Sequence, residues 1–485
     1  MLTGINLLLR FVGTSFQVYL SGRIGAAGIG LLQLVMSIGS LAMIAGIGGI
    51  RTATMYLTAE ELGKGKPQNV TWVLSGCFLY SILFSLVISV SLYSFAPQIA
   101  QYWIGDVRTT GALRLFASFL PVTCLCSVMT GYFTAANRIG TLAAVEVAEQ
   151  GLSMVITMAA LTRWAGHDPV KACLSVILGS SLGACMTLAC LVLLRQREQS
   201  TPGKRIPVRS RLLQTALPLA LADNLKAGIN TAENLMVPKR LSMNRLISNP
   251  LAAFGLISGM VFPIVMFPAA ILFGLAELLI PELARCAAAG SEKRIHYLVR
   301  KSLKVALIYG LAFGGIIFLL SEELCLRLYK NNEAAVWLRC YALLIPMLYC
   351  DAITDAMVKG LGQQKICVRY NIITSLMDVL ILYFLLPQYG MIGYFFSFLV
   401  THLINFILSL RRLLKISIQS IPFFIPALSL ASGLFAAQAA IPVPSTVIRC
   451  ISFLLILGCM LFLFRILTLE DVRWINGLVR KKSPS

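Results

Sequence analysis

A chain of 485 residues that is 58% apolar and only 13% charged cannot build water-soluble domains with charged exteriors. Its 41 Lys and Arg against 20 Asp and Glu give a formal net charge of +21, which in a soluble protein would point to nucleic acid. Here the basic residues lie in short stretches between apolar runs. That excludes a basic domain able to hold a duplex and points to membrane topology and anionic lipid headgroups.

A helix needs about 20 apolar residues to cross the hydrocarbon, and irregular backbone at that depth leaves polar groups unpaired. This rule predicts fourteen spans in chain order, at 2–21, 24–49, 69–94, 111–135, 141–164, 172–194, 212–237, 250–276, 302–320, 335–358, 367–387, 390–410, 420–440 and 444–466. The first run lacks a preceding basic stretch, and its one early charge, Arg10, lies inside it. It reads as a retained span, not as a signal peptide. The seventh carries Asp223, Lys226 and Glu233 and is the least apolar. Residues 196–211, charged and containing Pro202, Gly203 and Pro207, read as a cytoplasmic linker.

The stretches that follow even-numbered spans, with the C-terminal tail, hold about 26 Lys and Arg, and those after odd-numbered spans about 12. This bias predicts both termini in the cytoplasm of a bacterial plasma membrane. The two halves also resemble each other. Gly30-Leu31 recurs as Gly255-Leu256, Gly63-x-x-Lys66 as Gly290-x-x-Lys293, and Ala136-Asn137-Arg138 as Gln363-Gln364-Lys365. Near-constant offsets at equivalent places in the span order indicate a repeat, and six spans per repeat make it a parallel one. The expected fold is all-α and polytopic. A bundle of six helices at 1–195 is followed by the linker, a second bundle at 212–415, and two extra helices with a basic tail at 416–485.

The motifs of catalysis are missing: there is no P-loop, GxSxG or HExxH, and no Cys/His cluster. The thirteen cysteines are scattered singly through apolar segments. A non-enzyme with no metal and no cofactor is expected.

Ionisable residues inside spans cost a few kcal/mol each and face a cavity or a partner helix. On the first span, Asn6, Arg10, Gly13, Gln17 and Ser21 fall within about 80° of arc. On the fifth, Glu146, Glu149, Gln150, Ser153 and Thr157 share a similar face. On the seventh, Asp223, Lys226, Asn230, Glu233 and Asn234 form one polar stripe within about 100°. Asp351, Thr354 and Asp355 lie on the tenth span and Asp378 on the eleventh. Two readings stay open: interhelical fastening, with Asp223 paired to Lys226 one turn on, or convergence on a wet cavity shared by the halves. In the second reading Arg10 and Lys226, on equivalent helices, hold an anionic head such as a diphosphate, with Gln17, Asn230 and Asn234 beside it. Glu146, Glu149, Asp223, Glu233, Asp355 and Asp378 then take a coupling proton or sodium ion, or neutralise the cations. Glycines in the second span and Pro263 and Pro268 in the eighth suggest helices that bend.

Several stretches are familiar. LLLRFVGTSFQVYLSGRIGAAGIGLLQL (7–34), the loops RTATMYLTAEELGKGK and IPELARCAAAGSEKR, and LLPQYGMIGYFFSFLVTHLINF (385–406) resemble stage V sporulation protein B-like transporters. These form a polysaccharide-transporter branch of the multidrug/oligosaccharidyl-lipid/polysaccharide exporter superfamily. The resemblance implies two six-helix bundles working by alternating access, and an undecaprenyl-linked sugar, including peptidoglycan precursors, as substrate. In the peptidoglycan flippases an arginine on the first helix matches Arg10 and is followed by an acidic residue, where this chain has Phe11.

The leading expectation is therefore a monomeric flippase for a lipid-linked oligosaccharide or peptidoglycan precursor. The alternatives are a cation-coupled multidrug exporter on the same fold, and a non-transporting scaffold for cell-wall synthesis.

Overall fold

The computed structural model describes residues 2–166, 168–196, 208–417, 424–441, 445–464 and 466–467. Most of the expected linker, most of the basic tail, and the side chains of Asn6 and Arg10 lie outside the described residues.

Among the described residues the chain is helical throughout, with no strand. In order the helices are α1 (Leu2–Ile47), α2 (Ile50–Gly63), α3 (Val70–Gln98), α4 (Thr110–Ala135), α5 (Ile139–Ala160), α6 (Pro169–Gln196), α7 (Val208–Leu241) and α8 (Pro250–Leu256). There follow α9 (Phe262–Met266), α10 (Ala269–Ala288), α11 (Glu292–Tyr329), α12 (Glu333–Ala342), α13 (Ile345–Gly360), α14 (Gln364–Ser417), α15 (Phe424–Ala440) and α16 (Thr446–Leu463). Eight are long and apolar enough to cross a membrane, or ten if two bent pairs each count as one span.

Two of these are double-length. At 46 residues α1 is about 70 Å long, more than twice the hydrocarbon thickness. It breaks at Gly25 (φ 69°), beside the expected start of the second span at 24. The 54 residues of α14 break in the same way at Gly390 (φ 56°), the expected start of the twelfth span. Both torsions lie in a region that side chains disfavour, which is why glycine marks the joints.

Three sequence expectations are corrected. The two stretches read as cytoplasmic loops are largely helix: 51–63 belongs to α2 and 280–288 to α10. Their Ala, Leu and Glu content favours helix, and Ala53, Leu57, Leu283 and Cys286 are buried. The eighth span does not end near 276. It bends by 62° between Met266 and Ala269, around Pro268, and continues to Ala288.

By compactness the chain falls into two units. The first comprises Met1–Met260 with Ser375–Tyr394. Its core joins Ile29, Val35, Leu113, Ala117, Cys173 and Ile177, and a second cluster lies around Ile50, Leu57, Val128 and Phe133. Within it α8 crosses α1 at very short range. A methyl group on Gly255 would overlap the Ala26 carbonyl and lie 2.6 Å from the Gly30 nitrogen, and one on Gly30 would overlap the Leu251 carbonyl. Gly30 and Gly255 are the residues that the repeat makes equivalent, so like meets like, as it does at a two-fold axis. The second unit comprises Val261–Thr374 and Phe395–Ser485. There Leu311 packs with Phe453 and Leu457, and the Tyr341 ring is enclosed by Phe262, Phe395 and Phe398.

Where helices break, neighbours supply the missing hydrogen bonds. The Tyr80 hydroxyl donates to the Gly48 carbonyl (3.3 Å) at the joint of α1 and α2. Asn244 Nδ2 donates to the carbonyls of Pro387 and Gln388 (3.2 and 3.3 Å), just before the Gly390 break. In the second unit the hydroxyls of Tyr349 and Tyr309 donate to Val265 and Pro268 (both 2.8 Å) at the α9–α10 bend. Each adds a donor to a carbonyl that hydrocarbon could not solvate; the Pro268 carbonyl also accepts from the Ile271 backbone N–H (3.3 Å).

Two predictions follow from the fold. Gly255→Val should lower the stability of the detergent-solubilised protein by about 1–3 kcal/mol, because a side chain there meets backbone that cannot rotate away. A thermal melt checks it. The second concerns the turn before α4, where Asp106 accepts from the Arg108 backbone N–H (3.0 Å), Nε (3.0 Å) and Nη2 (2.8 Å). The Arg108 guanidinium holds the Asp106 carboxyl below its ordinary value. A carboxyl so lowered stabilises the fold above the ordinary carboxylate range and loses that contribution as pH falls through its own value. Asp106→Asn keeps a capping oxygen and loses only a solvent-screened ion pair, so it should cost a few tenths of a kcal/mol, at most about 1, at neutral pH. Melts of the two proteins should converge in acid.

Candidate functional site

The polar residues of the spans gather in three places. The first, within the first unit, is a cavity of about 310 Å³ lined by Gly13 and Phe16 of α1, Glu146, Glu149, Gln150, Ser153 and Met154 of α5, and Ser180 of α6. The spacing Glu146, Glu149, Gln150, Ser153 puts all four on one helical face, and that face is the cavity wall. Glu149 accepts from Thr187 Oγ1 (2.7 Å), its hydrogen-bond donor among the described residues. Gln150 Nε2 donates to the Leu9 carbonyl (3.1 Å), tying α5 to α1. Glu146 interacts electrostatically with Arg51 of α2 and with Glu149. Thr157, the last member of the stripe, is buried and bonds the Ser153 carbonyl (2.7 Å). Gln17 is half-buried and is not among the lining residues.

The second place is α7. Asp223, Lys226 and Asn230 are exposed, and neither Asp223 nor Lys226 makes an ion pair among the described residues. The expected Asp223–Lys226 pair does not form. One to two turns further on, the same helix is fastened. Thr231 Oγ1 donates to the Ser37 carbonyl (3.2 Å) and Asn234 Nδ2 to Ser37 Oγ (3.0 Å), both on α1. Glu233 is hydrogen-bonded, carboxyl to carboxyl, with Asp378 of α14, and Tyr394 interacts with both. Two carboxyl groups in such contact need a shared proton or a cation between them.

The third lies in the second unit. Asp355 pairs with Lys359 Nζ (3.3 Å) and accepts from Cys367 Sγ (2.9 Å), Asn371 Nδ2 and Ser409 Oγ (both 3.3 Å). One turn away, Asp351 faces Asn405 Nδ2. The acidic residues thus do not meet at one point. Glu146 and Glu149 share the cavity, Glu233 and Asp378 pair, Asp223 stands exposed, and Asp355 belongs to the other unit's network. Sequence reasoning missed Ser37, Thr187, Tyr394 and Asn405. For Asn405 a signal existed: Ser397, Thr401, Asn405 and Ser409 recur every four residues in an apolar run, and all four are buried.

Comparison with known proteins fits this architecture. The MatE family matches residues 3–164 and 239–384, well over half of the chain. The chain belongs to the MatE family. Stage V sporulation protein B of Bacillus subtilis (strain 168) is 22% identical over 418 residues, covering 81% of this chain and 78% of that protein. Among solved structures, the lipid II flippase MurJ in an inward closed conformation aligns with a TM-score of 0.71 at 12% identity, over 96% of this chain and 98% of its own. An inward-facing multidrug resistance MATE family transporter of the MOP superfamily aligns with a TM-score of 0.66 at 14% identity, over 86% and 100%. This MatE protein is a multi-pass membrane transporter of the MOP superfamily, on the fold those structures share.

Thr187→Val should leave Glu149 without its donor and lower the melting temperature, at a cost of about 1–3 kcal/mol. Glu149→Gln, which can still accept from Thr187, should melt close to wild type. If Thr187→Val also melts like wild type, water in the cavity already satisfies Glu149.

Proposed function

We propose that this transporter is a flippase for a lipid-linked oligosaccharide or peptidoglycan precursor in a bacterial plasma membrane, with both termini in the cytoplasm. The observation that carries the reading is the division of labour along α7. An exposed Lys226, with no ion pair among the described residues, lies two turns from Glu233 of the Glu233–Asp378 carboxyl pair on the same helix. Lys226, with Arg10 on the equivalent first helix, holds the diphosphate of the substrate head, and Gln17, Asn230 and Asn234 surround it. The Glu233–Asp378 pair takes the coupling proton or sodium ion. Because both functions share one rigid helix, loading the pair and moving the head are mechanically linked. The undecaprenyl tail stays in the bilayer while the two six-helix bundles, 1–195 and 212–415, alternate access to the head. The fold shared with the lipid II flippase MurJ supports a lipid-linked substrate.

A second reading is favoured by a separate observation. The cavity beside Glu146, Glu149 and Phe16 suits an organic cation, as a multidrug exporter would need. In that case Glu146 and Glu149 matter more than Lys226. Membership in the MatE family favours transport over the scaffold reading.

The test is translocation of a fluorescent lipid-linked precursor in reconstituted vesicles. Combined Arg10→Ala and Lys226→Ala should slow it at least tenfold with the melting temperature retained, about 1.4 kcal/mol of lost interaction or more. Glu233→Gln with Asp378→Asn should remove the response to a proton or sodium gradient. Unchanged translocation in the Arg10/Lys226 double variant would reject the headgroup role, and drug resistance lost only in Glu146 and Glu149 variants would favour the exporter.

A further inference from the structure

The turn between α13 and α14 and the last turns of α14 meet at one end of the second unit. Asn405 faces Asp351 and Ser409 faces Asp355, so the register of the two helices carries Arg412 to the turn that follows α13. There Arg412 Nη2 donates to Gln363 Oε1 (2.7 Å). Over 356–374 and 395–417 the second unit has six Lys and Arg and no acidic residue. Lys359 is paired with Asp355 (3.3 Å). Lys365, Arg369, Arg411, Arg412 and Lys415 make no ion pair among the described residues. Nor does α10, which packs on α13, neutralise them: Glu282 is held by Arg285 and Arg294 (3.3 and 3.0 Å), and Glu277 makes no ion pair. The Arg412 guanidinium is only half satisfied. Its Nε, on the same edge as Nη2, is buried and meets no acceptor. At Arg108 the corresponding edge has a carboxylate, which takes Nε at 3.0 Å and Nη2 at 2.8 Å. Gln363 offers one carboxamide oxygen where an acceptor with two fits better.

We propose that this basic end of the second unit binds the phosphate of an anionic phospholipid, with Arg412 as its anchor. Two phosphate oxygens match the Nε and Nη2 edge once the Gln363 side chain swings aside, and the exposed Lys365, Arg411 and Lys415 surround the charge. The level of the cations along α14 favours a lipid over a free anion. One and two turns before Arg411, on the same face, Ile407 and Leu403 are exposed, and one turn after Arg369 so is Ile373. The cations therefore stand where exposed apolar surface ends, at the depth of the headgroups, and acyl chains attached to the bound phosphate lie along those apolar residues. The first repeat does not reproduce the arrangement. Its equivalent turn is 136–138, and Arg195 near the end of α6 lies over the Tyr132 ring (4.9 Å). Lys359 precedes Gln363 by four residues as Tyr132 precedes Ala136, so a ring that would occupy an arginine is replaced by another cation. The site shares no residue with Lys226, Arg10 or the Glu233–Asp378 pair and does not depend on what the transporter carries.

Native mass spectrometry of the delipidated full-length protein, titrated with phosphatidylglycerol or phosphatidylcholine, reads lipid binding directly. Phosphatidylglycerol should bind the wild type about tenfold more tightly than phosphatidylcholine. Arg412→Gln should lower the phosphatidylglycerol affinity about fivefold, and Arg411→Gln with Lys415→Gln about tenfold, with phosphatidylcholine unchanged. The second pair lies on the surface and reads the same site should Arg412→Gln fail to fold. Lys293→Gln with Arg300→Gln removes two exposed cations from α11 and should leave the affinity within about twofold of wild type. Inorganic phosphate should not displace the lipid. Wild-type affinity in both Arg412→Gln and the Arg411/Lys415 variant would overturn the proposal. So would an equal loss in the Lys293/Arg300 variant, which would assign the binding to net charge, or displacement by inorganic phosphate, which would make the site one for a free anion. Lys226→Ala should bind phosphatidylglycerol as wild type does. Because no step requires transport, failure here leaves the flippase reading intact, and failure of that reading leaves this site intact.

Discussion

A backbone carbonyl freed by a break in a membrane helix finds no water in the hydrocarbon, and much of this protein's polar interior is arranged around that fact. Breaks in α1–α2, α9–α10 and α14 are all met by a hydroxyl or amide from elsewhere in the chain: Tyr80, Tyr349 with Tyr309, and Asn244 in the turn after α7. The consequence is mechanical as well as energetic. A joint whose carbonyls are held by named neighbours can bend only if those neighbours move with it, so each break is tied to a partner segment.

The same requirement sorts the carboxylates. Asp355, with three donors and a lysine, acts as a fastener of α13 to α14. Glu149 has one hydroxyl donor and an open cavity before it. Glu233 has another carboxyl, which obliges the pair to bind a proton or cation. Asp351 has half of an amide. The fewer permanent donors a buried carboxylate has, the more its charge depends on something that comes and goes. That ordering distinguishes functional candidates from structural ones without reference to position in the sequence.

Much of the fold was legible because lipid imposes a length and a composition on every span. Glycine and proline marked most joints in advance: Gly25 and Gly390 lie at expected span boundaries, and Pro268 lies at the bend. The stretches beyond the membrane were misread as loops, since hydropathy reports insertion and is silent on whether a polar segment such as 51–63 is helical. The polar stripes on α5 and α7 were legible from their period. Their partners were not, because a helical wheel says which residues share a face and nothing about the neighbour. Thus α7 read as one continuous stripe, whereas the structure divides it between Ser37 and Asp378 on two other helices. Asn405 escaped for a different reason: three small hydroxyl residues at its spacing carry no charge, and charge was the signal sought.

The position of α7 draws these strands together. An aspartate and a lysine at helix depth each cost about 2.5–3.5 kcal/mol on insertion, and α7 carries both with little apolar surplus. Its place is secured by what it bonds: Thr231 and Asn234 grip Ser37 on α1, and Glu233 meets Asp378. Those contacts take up only the C-terminal part of the stripe. Asp223, Lys226 and Asn230 continue the same face and remain exposed. Acyl chains cannot solvate such a face, so water or a polar ligand must. A helix that membrane insertion alone would not favour is therefore held by its neighbours, and in the proposed transport scheme its remaining polar surface is where the substrate head would pass. For a transporter, that surplus of polarity is the feature a passive structural helix would not retain.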